Sequence, residues 1–111
     1  MIEARIRKDA DDNYRGFLIR GHAEYDDPGK DVVCAAVSML AINTVNALEK
    51  LCGVAVEAEQ EKESGTLKVS FPEVLNEKGQ LLMDALVLGL KGVEGQYDAF
   101  LKVEEERQER R

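Results

Sequence analysis

Two residues in this chain could carry nucleophilic chemistry, and they stand close together in the sequence. His22 is the only histidine, and eleven residues separate it from Cys34. Asp31 precedes an apolar run and is typical of a helix N-cap, which would place Cys34 in the first turn of a helix. There the helix dipole favours the thiolate, and a nearby imidazole can take up the thiol proton. The pattern predicts a cysteine nucleophile with a histidine base.

The same two residues also have ordinary structural interpretations. Cys34 is followed by Ala35, Ala36 and Val37, and a cysteine on such an apolar helix is usually a small core residue. A single histidine at the end of a strand is usually solvated or hydrogen-bonded without a catalytic role. Spacing alone therefore does not distinguish a catalytic pair from chance proximity.

The predicted helix start supplies further candidate groups. Its unpaired N–H groups could bind an oxyanion, and those of Cys34 and Ala35 are the natural candidates. Asp31 could be the N-cap, the interpretation we prefer, or it could orient the imidazole of His22. Ser38 lies one turn after Cys34 and could hydrogen-bond within the site or to a helix carbonyl.

The second cysteine, Cys52, falls at the opposite end of the same predicted helix. Its 18-residue separation from Cys34 corresponds to about 27 Å of helix at about 1.5 Å per residue, whereas a disulfide needs Cα atoms within about 7 Å. We therefore expect two free thiols and no catalytic role for Cys52. One histidine and two distant cysteines do not supply the ligands of a zinc site, so we expect no metal and no other cofactor.

The first half of the chain predicts a hairpin, a loop and a helix. Residues 2–8 alternate between apolar and charged side chains, which predicts a strand that pairs with a second strand from about 14 to 22. A polar loop over 23–30 contains the turn-forming pair Pro28-Gly29. We expect this loop to be mobile until a substrate closes it. The first helix is predicted over 32–51.

The next segment predicts a second hairpin. Gly53 is expected to end the first helix. Residues 54–59 and 66–71 both alternate between apolar and polar side chains, and a turn of sequence Glu-Lys-Glu-Ser-Gly lies between them. This is typical of two antiparallel strands.

The last part predicts a helix, a strand and a tail. The second helix is expected from about 78 to 94 with Gly95 as its cap, followed by a strand over 97–103. The charged tail 104–111 is expected to be frayed. The order β-β-α-β-β-α-β indicates an α+β fold with a mixed, largely antiparallel sheet and two helices. One sheet face could then be solvated or could be a dimer surface.

The composition suits one globular domain spanning residues 1–111, with 44% apolar and 33% charged residues. The formal net charge of −7 disfavours direct binding to nucleic acid and suits a basic peptide or protein partner. Its apolar runs fall short of a bilayer span and its N-terminus lacks a signal pattern, so we expect a cytoplasmic protein without membrane attachment.

One two-part motif resembles a known family. The segment Gly21-His22-Ala23, then a short loop, then residues 29–38 with the sequence Gly-Lys-Asp-Val-Val-Cys-Ala-Ala-Val-Ser, is similar to the signature of the ribosomal-processing cysteine proteases called Prp. The turn at 63–67 and the whole element order are also similar. The resemblance extends over essentially the full chain.

The resemblance implies a small α+β cysteine protease that forms homodimers. Members of this family remove an N-terminal extension from large-subunit ribosomal protein number twenty-seven, cutting after an aromatic residue and before a small one. Carried over, His22 is the general base and Cys34 the nucleophile, while Gly21 and Gly29 flank the active-site loop and Asp31 precedes the nucleophile. The alternative is a non-enzymatic ribosome-assembly factor that binds a basic ribosomal protein through its acidic surface.

Overall fold

Alternating apolar and polar residues form the strands of a single five-stranded sheet, and two amphipathic helices complete the fold. The computed structural model describes residues 1–27 and 30–108. The elements are β1 (Ile2–Lys8), β2 (Tyr14–Arg20), α1 (Val32–Cys52), β3 (Glu57–Glu61), β4 (Thr66–Ser70), α2 (Glu77–Gln96) and β5 (Leu101–Arg107). This order and the α+β class are as predicted.

The sheet is mixed, with strand order β3-β4-β2-β1-β5. β1 pairs in parallel with β5, and the other neighbouring strands are antiparallel. The register places Ile6 beside Phe17 and Phe17 beside Val69, and all three side chains are fully buried. The helices cover this face with Val33, Val37, Leu48, Met83, Leu86 and Leu90.

The opposite face of the sheet is charged. Glu3 on β1 accepts a hydrogen bond from Arg20 on β2 at 2.9 Å, and these two residues are register partners. Arg5 lies between Glu3 and Glu106 of β5, 3.7 and 3.9 Å from them. Exposed ion pairs of this kind suit contact with water.

Helix α1 is bounded by the predicted caps. Asp31 accepts hydrogen bonds from the first-turn amides at its N-terminus, and Gly53 ends it in the left-handed conformation with φ of 62°. By length and composition alone α1 could cross a membrane, although its apolar runs were expected to fall short of a bilayer span. Five of its side chains are buried in the core, whereas the apolar side chains of Met39, Ile42 and Leu51 are exposed.

Several strand boundaries differ from prediction, among them the end of β2 and the start of β3. β2 ends at Arg20 rather than His22, because Gly21 turns the chain with φ of 90°. β3 begins at Glu57 rather than Val54. The Val54 amide instead donates to the Leu48 carbonyl at 3.0 Å, which ties this residue to the end of α1.

The C-terminal boundaries also need correction. α2 continues through Gly95 to Gln96, and its cap is Tyr97, whose amide donates to Val93. β5 starts at Leu101 rather than Tyr97. Residues 104–107 are not frayed, because they pair with β1 as far as Lys8. Residues 109–111 of the predicted tail lie outside the described part of the chain.

Candidate active site

Asp31 sets the position of Cys34 at the start of α1. Its Oδ1 accepts hydrogen bonds from the amides of Val33 and Cys34, both at 3.0 Å. Its Oδ2 accepts from the Tyr25 amide at 3.0 Å. Within the described residues none of its hydrogen bonds reaches His22, so the structure supports the N-cap interpretation over the orienting one.

The Cys34 sulfur is half-buried beneath the first residues of the loop. The amide of Ala23, a buried residue, donates to Sγ at 3.3 Å. Burial raises the pKa of the Cys34 thiol, the Ala23 hydrogen bond acts to lower it, and the nearby Asp31 carboxylate raises it further; the net direction is upward. The expectation that the helix start favours the thiolate is therefore not met, and the resting group is the neutral thiol.

The amides expected to bind an oxyanion are already engaged. Cys34 N–H donates to the Asp31 carboxylate, and Ala35 N–H donates to the Asp31 carbonyl at 3.1 Å. Both bonds belong to the cap and first turn of α1. Forming the helix start therefore leaves neither N–H free to bind an oxyanion. The Ala23 N–H is the amide that faces the sulfur directly.

His22 stands at the rim of the site and is exposed. Its Nε2 lies 3.2 Å from the carbonyl oxygen of Glu63, in the turn between β3 and β4. In the described residues it makes no hydrogen bond with Cys34. The two side chains nevertheless line one cleft of about 820 Å³.

The cleft has an acidic wall. Among the described residues, its lining includes His22, Glu24, Asp26, Asp27, Asp31, Cys34, Ala35 and Ser38. A smaller groove of about 290 Å³ continues past His22, Cys34 and Ser38 toward the β3–β4 turn, and much of its wall is apolar, including Ile19, Val37 and Ile42. The site can therefore hold an extended chain with one apolar side chain beside the sulfur.

The chain matches a known protein family over most of its length. Residues 1–102 match the family described as Cysteine protease Prp. The chain belongs to the Prp family of cysteine proteases. A relative in Bacillus subtilis, the ribosomal processing cysteine protease Prp, is 33% identical over 107 residues, covering 93% of this chain and 96% of the relative.

Solved structures agree with the Prp fold. A Streptococcus mutans crystal structure is 31% identical with a TM-score of 0.86, over 97% of this chain and 96% of that one. The essential ribosomal processing protease Prp from Staphylococcus aureus, bound to a covalently linked product peptide, gives a TM-score of 0.90 at 22% identity, over 96% and 100% of the chains. At that identity the second likeness supports the fold alone.

The remaining residues singled out in the sequence have distinct environments. Gly21 has a φ of 90°, and a Cβ there would lie 2.6 Å from the Met1 carbonyl oxygen, so only glycine fits. Ser38 lines the cleft, and its hydroxyl makes neither of the two expected hydrogen bonds in the described part of the chain. Gly29 lies outside the described residues. Cys52 is a free thiol at the far end of α1.

Three groups at the site were not predicted from the sequence. These are the Ala23 amide, the Glu63 carbonyl and Gly65, whose position beside the imidazole depends on how the β3–β4 turn docks. The only sequence signal was the Glu-Ser-Gly turn, noted for its likeness to the family. No cluster of three or more potential metal ligands occurs among the residues the structure describes.

Proposed function

We propose that this cysteine protease uses Cys34 as nucleophile and His22 as general base to remove the N-terminal extension of large-subunit ribosomal protein number twenty-seven. The observation that carries the catalytic assignment is the shared cleft: His22 and Cys34 line it together, and the residue after His22 donates to the Cys34 sulfur. A half-buried thiol at a helix start, open to a peptide-sized cleft, suits acyl transfer.

The reaction begins with proton transfer from the Cys34 thiol to His22. The sulfur then bonds to the scissile carbonyl carbon, the C–N bond breaks, and the leaving amine takes the proton back from His22. Water hydrolyses the resulting thioester. Because the free site has a neutral thiol without a hydrogen bond to His22 among the described residues, substrate binding must draw the two groups together.

The Ala23 N–H is our candidate oxyanion donor. With the Cys34 and Ala35 amides engaged in the α1 cap, Ala23 is the donor already directed at the sulfur. A carbonyl carbon bonded to Sγ would bring its oxygen near this amide. The N–H would then exchange a weak bond to sulfur for a stronger one to developing negative charge.

The substrate assignment rests on the family and on the shape of the site. The Bacillus subtilis relative is named for ribosomal processing, and a Staphylococcus aureus structure holds a substrate peptide. In this chain, the apolar groove beside Cys34 suits an apolar or aromatic side chain before the cleaved bond. The acidic wall with Glu24, Asp26 and Asp27 suits the basic residues of a ribosomal protein.

The setting of the reaction follows from the same assignment. We propose a cytoplasmic homodimer that needs no cofactor and binds its protein substrate without direct contact with nucleic acid. The charged sheet face suits water, whereas the helices expose the apolar side chains of Met39, Leu81 and Leu88. These helix surfaces are better suited to a second copy of the chain.

The test is cleavage of the extended ribosomal protein by purified enzyme. Cys34→Ala should lose detectable cleavage while keeping its circular dichroism spectrum, because the change removes one half-buried sulfur. Cys52→Ala is the matched control at the other end of α1 and should cleave at the wild-type rate. Cleavage by Cys34→Ala would refute the nucleophile, and tight binding without cleavage by the wild type would favour the assembly-factor alternative.

A further inference from the structure

The imidazole of His22 contacts a backbone carbonyl oxygen that determines which ring nitrogen carries the hydrogen. Nε2 lies 3.2 Å from the Glu63 carbonyl oxygen. A carbonyl oxygen can only accept a hydrogen bond, so Nε2 must carry hydrogen for this contact to be favourable. In the neutral ring the basic lone pair then belongs to Nδ1, because the partner of one ring nitrogen determines the tautomer at the other.

Gly65 lets the β3–β4 turn approach this close. Its φ is 65°, and a Cβ there would lie 2.6 Å from the Gly21 carbonyl oxygen, 2.9 Å from His22 Cε1 and 3.2 Å from Nε2. The Gly21 amide donates to the Ser64 carbonyl at 3.3 Å. The turn therefore docks against both His22 and the residue before it, and a side chain at Gly65 would push it away.

We propose that this turn positions His22 for catalysis, with the Glu63 carbonyl holding the Nε2–H tautomer and Gly65 providing the space, so that Nδ1 is the atom that accepts the Cys34 proton. The proposal rests on the proposed function and adds the orienting third group, the role that Asp31 does not fill. Glu63 and Gly65 are positioning residues, since both act through His22.

The proton balance follows from that geometry. The S–H bond of Cys34 breaks and an Nδ1–H bond forms, while the Nε2–H bond to the Glu63 carbonyl persists and stabilises the imidazolium. As the C–N bond of the substrate breaks, the proton moves from Nδ1 to the leaving amine. The Glu63 side chain has no part in this, because the acceptor is its backbone oxygen.

Other charged groups near His22 come from three elements. The loop and α1 contribute Glu24, Asp26, Asp27 and Asp31 to the first cleft. The β3–β4 hairpin contributes Glu61 and Lys62 to the second. All of these remain unchanged in the variants below, so a change in the pH profile would report the position of the imidazole itself.

The direct test is nitrogen-15 NMR of the imidazole, which is unambiguous because the chain has one histidine. When the ring is neutral, the wild type should show a protonated, pyrrole-type Nε2 and an unprotonated, pyridine-type Nδ1. Glu63→Ala should give the same spectrum, since it keeps the carbonyl. A wild-type spectrum with the proton on Nδ1 would overturn the proposal, whatever the catalytic result.

The variant test compares two glycines that have similar backbone conformations. Gly65 and Gly53 have φ of 65° and 62°, and a Cβ at Gly53 meets nothing within 4 Å. Both alanine variants carry the left-handed strain, but only Gly65→Ala displaces the turn. We expect Gly65→Ala to lower kcat by about 10- to 100-fold with little change in KM, to mix the tautomers and to move the acidic limb of the pH profile.

Gly53→Ala should keep the wild-type kcat, KM, tautomer and pH profile. Wild-type kcat and tautomer in folded Gly65→Ala would refute the positioning role. If Gly65→Ala does not fold, the wild-type NMR spectrum still decides the tautomer. Cleavage by Cys34→Ala would instead refute the proposed function, so the two failures are distinguishable.

Discussion

At the scale of single residues, Asp31 couples helix formation to the state of the nucleophile. Burial acts to raise the pKa of the Asp31 carboxyl, but hydrogen bonds from the Cys34 and Tyr25 amides outweigh it and hold that pKa below its usual value. The group is therefore a carboxylate at neutral pH. Burial is the main reason that the pKa of the Cys34 thiol is raised, and the Asp31 charge beside it raises that pKa further, so the residue that orders the helix start also disfavours the thiolate.

This coupling predicts the pH dependence of alkylation. Because the thiol pKa is raised, the rate of Cys34 alkylation by iodoacetamide should reach its midpoint above about pH 8.5, the ordinary value for cysteine. Asp31→Asn retains a side-chain oxygen for the cap but removes the charge, and its profile should move to lower pH. Alkylation can be followed by mass spectrometry in proteins that also carry Cys52→Ala, so that Cys34 is the one thiol that reacts.

The same measurement tests whether the pair is preformed. Without a hydrogen bond between them in the described structure, the profiles of the wild type and His22→Ala should nearly overlap. A shift to higher pH of more than about one unit on removing His22, worth roughly 1.4 kcal/mol, would show an ion pair already present in the free enzyme. That outcome would contradict assembly by substrate.

At the scale of elements, residues 23–27 of the loop between β2 and α1 make several contacts with the rest of the protein. The Ala23 and Tyr25 amides bond to Cys34 and Asp31. The Tyr25 ring packs edge-on against Tyr97 and Phe100, with ring centres 5.4 and 5.1 Å away. Any substrate-dependent movement of the loop must exchange these contacts for contacts with the peptide.

Removing the aromatic anchor should therefore loosen the loop. We expect Tyr25→Ala to speed amide exchange over residues 23–27 by about fivefold or more, since each aromatic pair contributes about 0.5–1.5 kcal/mol. An inactive substrate peptide should restore protection in both proteins. Leu51→Ala, at an exposed apolar residue outside the loop, is the control. Unchanged exchange in Tyr25→Ala would mean that the backbone bonds alone hold the loop.

The elements differ in how far local sequence determines them. The ends of α1 were predictable because Asp31 and Gly53 act on their own helix. β5 was misplaced because the alternation that begins with Leu101 and Val103 gives way to charged residues, and its second half is a strand only through pairing with β1 at the other end of the chain. The end of α2 was predicted wrongly because a glycine can also lie within a helix, as Gly95 does, and so does not by itself mark the cap.

The second half of β5 should matter for stability. A chain ending after Val103 loses the pairing of residues 104–107 with β1 and the 2.6 Å bond from Arg107 to Asp12. We expect its free energy of unfolding to fall by about 1–3 kcal/mol, or about 4 °C or more in Tm per kcal/mol. A chain ending at residue 108 keeps all of β5 and is the control. Equal Tm values would support the frayed tail of the sequence prediction.

At the scale of the whole molecule, the site lies where the β3–β4 turn meets the loop and the start of α1, which are neighbours in the sequence. The motif predicts that His22 and Cys34 lie near the same helix start, and both side chains line one cleft. It could not reveal the Glu63 carbonyl, which is 41 residues from His22 along the chain, or the engagement of the Cys34 amide by the cap. Those features depend on the docking of one hairpin and on competition for hydrogen bonds, which residue types alone do not specify.

The charge of the molecule leads to a prediction about ionic strength. The chain carries a net charge of −7, and Asp26 and Asp27 line the cleft, so a basic substrate should be attracted to the site. Raising salt from about 0.1 to 1 M shortens the Debye length from about 10 to about 3 Å. We expect kcat/KM for a basic extension peptide to fall by about tenfold, mainly through KM, and by less than about twofold for a neutral peptide.

Two double variants separate the cleft from the overall charge. Asp26→Asn with Asp27→Asn and Glu57→Gln with Glu59→Gln each remove two negative charges, but Glu57 and Glu59 lie on β3, outside the walls of both clefts. Only the first pair should raise KM for the basic peptide and flatten its salt dependence, because screening acts over a few ångströms around the bound chain. Equal effects from the two pairs would show that net charge alone attracts the substrate. No effect from either would mean that the acidic wall faces solvent when the peptide is bound, and that the apolar groove provides the affinity.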